Sequence, residues 1–127
     1  MKVLLDTHVL LWWLEGGDKL SRRVRNLIAS PRNVVVVSAV SAWEISVKSA
    51  AGRLDAKPLL ENFERELEQE GFTELPITAR HAVLAGVVAF PHKDPFDRML
   101  VAQAQIEGVP LASKDDLFDG SSVRRIW

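Results

Sequence analysis

The 127 residues contain no cysteine. That excludes disulfide frameworks, thiolate metal sites and thiol nucleophiles, and it fits a reducing, cytoplasmic compartment. An excess of one charge is missing too: 16 Lys and Arg against 17 Asp and Glu leave a net charge of -1. No global field draws such a chain to a polyanion, which would have to be gripped by local basic groups or through a bound cation. Long apolar runs are absent. The longest, Val9 to Leu14, falls far below the roughly 20 residues needed to cross a membrane. Met1-Lys2 leads directly into a strand-like run, so no signal peptide is expected. Linkers, repeats and low-complexity tracts are also lacking. With 47% hydrophobic and 26% charged residues, the expectation is one soluble domain spanning residues 1–127.

What is present alternates between strand-like and helix-like patterns, the mark of parallel βαβ units. Residues 2–6 form a short apolar run stopped by Asp6-Thr7 and read as a buried mid-sheet strand. Thr7 or His8 opens a helix to Leu14, ended by Gly16-Gly17. Asp18 or Ser21 caps a second helix whose Leu20, Val24, Leu27 and Ile28 recur at helical spacing. Val34 to Val37 is a β-branched run and hence a second strand. Ser38 caps a helix over 39–51. Further on, the pattern predicts a helix over 57–71, a strand over 72–75, a helix from Thr78 to Ala89, and a helix from Asp94-Pro95-Phe96-Asp97 to Gly108. Val109 to Ala112 is a strand, and 123–127 an edge strand.

Four acids fall at matching places in this plan. Asp6 ends the first strand, Glu44 lies early in the helix after the second, Asp97 begins a helix, and Asp115 or its neighbour Asp116 follows the last buried strand. In an open parallel sheet the ligand site lies beyond the carboxyl ends of the strands. Clustered carboxylates repel unless protonated or bridged by a cation, and oxygen ligands without cysteine suit Mg²⁺ or Mn²⁺. Such an ion supports phosphodiester hydrolysis by activating water and neutralising phosphoryl charge.

Each acid also has a purely structural reading. Asp6 suits a helix cap, Ser41-x-x-Glu44 fits a capping box, Asp94 and Asp97 suit the positive end of a helix, and Asp115-Asp116 suits a solvated turn. His8, His81 and His92 read as surface or partly satisfied histidines, because no pair has metal spacing on one helix face. Arg98, Lys114 and Lys48 are phosphate-contact candidates by proximity in the chain. Two other functions stay open: a metal-dependent phosphoryl-transfer domain of the same class, and a catalytically silent interaction module.

Together, Leu4-Leu5-Asp6-Thr7-His8-Val9-Leu10-Leu11-Trp12, Ser41-Ala42-Trp43-Glu44-Ile45, Asp94-Pro95-Phe96-Asp97-Arg98 with Ala102-Gln103-Ala104, Ser113-Lys114-Asp115 and the terminal Trp127 give a chain that resembles the PIN-domain ribonucleases. Within them it resembles the VapC-type toxins of prokaryotic toxin-antitoxin pairs. The resemblance implies a three-layer α/β/α sandwich with a central parallel sheet and a Mg²⁺- or Mn²⁺-dependent endoribonuclease activity that hydrolyses single-stranded RNA and leaves a 5′-phosphate. It also implies a cognate antitoxin and a homodimer. By the family motif, Asp6, Glu44, Asp97 and Asp115 carry over as the acidic, metal-holding site. Thr7 and Ser38 follow as polar neighbours, beside Asp94 and Asp116. The run Val9 to Leu14, apolar on all sides, is expected either to be covered within the domain or to bind the antitoxin or a second protomer.

Overall fold

Val3, Leu4 and Leu5 in the first strand have no solvent exposure, and Val35, Val36 and Val37 in the second have almost none. Strands apolar on both faces need a helical layer on each side. A computed structural model describing residues 1–127 has that arrangement. Its elements are β1 (Lys2–Leu5), α1 (Thr7–Glu15), α2 (Arg22–Ala29), β2 (Val34–Ser38), α3 (Ala39–Ala50), α4 (Lys57–Glu61), α5 (Phe63–Glu70), β3 (Thr73–Leu75), α6 (Ala79–Val87), α7 (Pro95–Glu107), β4 (Leu111–Ala112), a 3-10 turn (Asp116–Gly120) and β5 (Arg125–Ile126).

The five strands are all parallel and lie in the order β3-β2-β1-β4-β5. Side chains alternate across a strand, so the register Val3 to Val35 and Leu4 to Val36 sorts the interior into two cores. Val3, Leu5, Val35 and Val37 face Val9 and Leu10 of α1, Val24 and Ile28 of α2, Ile45 of α3 and Leu67 of α5. Leu4, Val36 and Leu111 face Leu100, Val101 and Ala104 of α7, with Val40, Val88, Phe90 and Phe118. The chain is therefore an α/β/α sandwich about a parallel sheet.

Four boundaries differ from the sequence expectation. The helix over 57–71 is two helices, because Asn62 leaves helical geometry at φ -133° and its N–H reaches back only to Leu59. The break lets Leu59, Leu60 and Phe63 pack against the same core. Helix α6 stops at Val87, where Val88 turns extended. Strand β4 starts at Leu111: the Val109 N–H returns to Ala104 at the end of α7 and Pro110 has no donor, so the ladder cannot begin earlier. The edge strand is only Arg125–Ile126. Helices α1 and α7 close on Gly16 (φ 75°) and Gly108 (φ 66°), where a left-handed residue ends the helix and a side chain would be strained.

Candidate active site

The sheet order puts β1 beside β2 on one side and β4 on the other, so the direction of winding reverses between β1 and β4. A cleft opens at the carboxyl ends of strands at such a point. Leu5 pairs with Ala112, which brings Asp6 and Ser113 out of neighbouring strands at the same level. The Ser113 hydroxyl donates to Asp6 Oδ2 at 2.7 Å and accepts from the Asp115 N–H at 3.0 Å. One buried serine thus ties together two of the four acids.

Asp6 occupies the N-cap position of α1 but makes no side-chain cap bond, so the capping account of this residue does not apply. It is buried, and burial pushes its carboxyl above the ordinary range. The Ser113 hydrogen bond and the nearby His8 oppose that rise, and Glu44 adds to it. The capping box around Glu44 is absent as well. Helix α3 is capped three residues before Ser41, by the Ser38 hydroxyl accepting from the Val40 N–H at 2.9 Å. The Ser41 hydroxyl instead meets that of Thr7 across 2.9 Å, joining α3 to α1. Glu44 lies buried, paired with Lys48 one turn on.

Asp97 is the electrostatic focus. Its carboxyl is pushed up to about 7, first by burial and then by the charges of Asp94, Asp6, Glu44 and Asp115. That set separates Asp115 from its neighbour. Asp115 also shares a cavity of about 270 Å³ with Asp6, His8, Trp12 and Lys114, a lining to which Asp116 does not belong, although both residues are exposed and both act on Arg125. The bland readings hold in part. Asp94 does cap α7, accepting from the Phe96 and Asp97 N–H groups at 2.8 and 3.2 Å. Asp115 caps the 3-10 turn through Leu117 N–H at 3.1 Å while lining the cavity.

Two of the basic candidates are committed elsewhere. The Arg98 guanidinium donates to the carbonyls of Ala85, Val88, Phe90 and His92, gathering the segment that leads into α7. Lys48 neutralises Glu44. Of the three basic candidates, only Lys114 is exposed and lines the cavity. Ser38, expected as a polar neighbour of the acids, has its hydroxyl bound to Gln103 and Val40 instead. Of the two expectations for His81, surface or satisfied, the second applies: it is buried, its Nδ1 accepts from the Thr78 N–H and its Nε2 meets Glu107 at 3.0 Å. Ser113 and His8 were the residues that sequence reasoning undervalued. The only local signal was their position, one directly after a strand and the other two residues beyond Asp6.

No three acidic or imidazole groups converge closely enough to ligate one ion jointly in this arrangement. The donor chemistry still fits a hard divalent cation. Every candidate ligand is a carboxylate oxygen, and the cluster raises Asp6 and Asp97 as only uncompensated negative charge and burial would. Mg²⁺ keeps several waters and is commonly held through one or two carboxylates, so a water-rich ion suits this spacing better than a closed protein cage.

The apolar run of α1 is covered within the domain in part. Val9 and Leu10 are buried, Leu11, Trp12, Trp13 and Leu14 pack partly on the core, and the Trp13 indole donates to Glu70 at 2.6 Å. Exposed apolar side chains lie elsewhere, among them Trp43 and Val47 on α3 and Val83 and Val87 on α6. No helix is long and apolar enough to cross a membrane.

The family model for the PIN domain matches residues 3–120. Ribonuclease VapC22 of Mycobacterium tuberculosis (strain ATCC 25618 / H37Rv) is 29% identical over 114 residues, covering 89% of this chain and 86% of that protein. Among solved structures, VapBC2 from Rickettsia felis bound to a promoter DNA fragment aligns with a TM-score of 0.70 at 12% identity, over 99% of this chain and 98% of that one. VapBC-1 from nontypeable Haemophilus influenzae aligns at 0.70 and 18% identity, over 99% and 97%. FitAcB from Neisseria gonorrhoeae aligns at 0.68 and 20%, over 98% and 96%.

Proposed function

This chain belongs to the PIN-domain family, and from that premise we propose that it is a divalent-cation-dependent endoribonuclease, the VapC-type toxin of a toxin-antitoxin pair. The observation that carries the reading is the convergence of Asp6, Glu44, Asp97 and Asp115 at the winding reversal, close enough that the charges of the other three help push Asp97 up to about 7. A structural role alone gives no reason to collect uncompensated charge there.

One or two of these four carboxylates would hold Mg²⁺ or Mn²⁺ directly and the others through its waters. When bound, the ion supplies charge neutralisation at the phosphoryl group and lowers the pKa of a coordinated water. The protein's own groups prepare that chemistry. Ser113 fixes the Asp6 carboxylate and, through the Asp115 N–H, the start of the following turn. Asp94 fixes the first turn of α7 and so the position of Asp97. The Thr7–Ser41 bond joins α1 to α3, the helix that carries Glu44, and Glu44 would hold the ion or orient the attacking water. Lys114 contacts a phosphate of the substrate strand. The substrate is single-stranded RNA and the products carry a 5′-phosphate.

Ribonuclease VapC22 and the VapBC structures support the toxin assignment by likeness, and with it a cognate antitoxin, a homodimer and a cytoplasmic setting. The exposed Val83 and Val87 of α6 and Trp43 and Val47 of α3 are apolar surface that such partners would cover. Purified protein with end-labelled single-stranded RNA tests the activity: cleavage in Mg²⁺ or Mn²⁺, abolished by EDTA, is expected. No cleavage with either ion would return the chain to a silent binding module, and cleavage indifferent to EDTA would remove the cation from the mechanism. Expression should arrest growth, and co-expression of the adjoining reading frame should restore it.

A further inference from the structure

The cavity beside Asp6 and Asp115 has only one cationic wall. Lys114 lines it, while Arg98 is bound to backbone carbonyls and Lys48 to Glu44. With a net charge of -1 over the chain, neither a local cluster nor a global field supplies much grip on a phosphate backbone. Apart from the two acids, the rest of the wall is aromatic, made of His8 and Trp12. His8 and Trp12, one turn apart on α1, have ring centroids 5.7 Å apart at an interplanar angle of 40°. Trp12 is set edge-on against Trp127 at 6.0 Å and packs partly on the core, so its indole is held in place before any ligand arrives. His8 is exposed at the cavity mouth.

We propose that His8 and Trp12 form a stacking platform that seats one unpaired base of single-stranded RNA next to the acidic site, while Lys114 takes an adjacent phosphate. The inference rests on the ribonuclease reading above and deepens it. Stacking on aromatic rings is available to every base and is strong enough to compensate for scarce positive charge. It also selects single strands, because a paired base is already stacked in its duplex and has no free face to offer. A rigid ring is a better platform than a mobile one, since little conformational freedom is lost when the base docks. The Trp127 contact therefore gives Trp12 a use beyond filling the core.

The test measures binding of full-length protein, in EDTA and low salt so that nothing is cleaved, to two fluorescent probes of equal length. One is a short oligoadenylate and the other an abasic ribose-phosphate oligomer with the same backbone and no bases. Wild-type protein is expected to prefer oligoadenylate by about tenfold, in line with one stacked base. His8→Ala, at an exposed position outside the core, and Trp12→Leu should each lower that preference without weakening abasic binding. Trp12→Phe should restore most of it, and Lys114→Ala should weaken both probes together. A merely structural Trp12 would shift both probes equally and leave His8→Ala silent. Equal binding of the two probes by wild type, or an unchanged preference in folded His8→Ala, overturns the platform. If cellular RNA is still cut in Mg²⁺ under either result, the ribonuclease reading stands without it; if RNA is neither bound nor cut, both fall.

Discussion

Around His81 every polar group answers another. Ser38 donates to Gln103, the Gln103 amide reaches the Pro76 carbonyl, the Thr78 N–H donates to His81, and His81 meets Glu107. At the carboxyl ends of β1 and β4 the same helix, α7, contributes Asp97 to a cluster in which acids crowd acids and no cation but Lys48 is paired in. Both regions satisfy the hydrogen-bonding rule, and no buried side-chain nitrogen or oxygen lacks a partner. They differ in charge. In the first, the one acid, Glu107, meets His81 and no other carboxylate, and a polar network that closes on itself rigidifies a fold. A cluster of like charges works against the fold and is tolerated where something else supplies the balance. The contrast teaches that hydrogen-bond satisfaction alone does not separate a structural polar cluster from a functional one, whereas unbalanced charge does.

The largest effect expected is on catalysis. Glu44→Gln keeps shape and most hydrogen bonding but removes the charge, so RNA cleavage should fall by about two orders of magnitude, measured as initial rate in Mg²⁺. Near-normal cleavage would place Glu44 with the structural network. Gln103→Leu tests the other side. It strips the Ser38 hydroxyl of its acceptor, at a cost of about 1–3 kcal/mol, so the melting temperature should drop by several degrees. The drop should be equal in EDTA and in Mg²⁺; a drop that Mg²⁺ erases would join the two regions into one.

Asp97→Asn sharpens the contrast through stability. In EDTA it relieves repulsion and should raise the melting temperature, or at least not lower it, although Asp97 sits in the first turn of a helix. Millimolar Mg²⁺ or Mn²⁺ should raise the wild-type melting temperature by mass action and do much less for the variant. A wild-type curve indifferent to both ions would remove the cation from the account. A smaller effect follows from protons. In the folded, cation-free protein the Asp97 carboxyl stands near 7 against an ordinary 3.8, so between those values the folded state holds a proton that the unfolded chain has released. The stability contribution is thus fully present below about pH 4 and is lost as pH rises through 7. The difference in melting temperature between wild type and Asp97→Asn should follow that window in EDTA and flatten in Mg²⁺. Smallest of all, Asp116→Asn should leave cleavage and melting unchanged, whereas Asp115→Asn should impair cleavage.

Much of the fold was legible locally. The β-branched run at 34–37, the apolar run stopped by Asp6, and the Asp94-Pro95 helix start each carry their signal within a few neighbours, because strand patterning and caps are short-range effects. The candidate acids were found the same way, at the ends of those elements. The breaks at Asn62 and Val88 were not, since the periodicity runs through both and packing decides where the helix ends.

The sequence by itself determined the alternation of strands and helices, the two-sided burial of β1 and β2, and the acids that punctuate them. Each of these depends on residue type and spacing along the chain. Tertiary structure alone decided the strand order, and through it which groups meet. Ser113 reaches Asp6 across a separation of 107 residues, Thr7 reaches Ser41 across 34, and Ser38 reaches Gln103 across 65. The same packing turned Arg98 inward to four carbonyls, drew Lys48 to Glu44 and left Lys114 at the cavity. Hydrogen bonds and ion pairs of that range depend on how the sheet is wound, and no local pattern of residues specifies the partner at the other end.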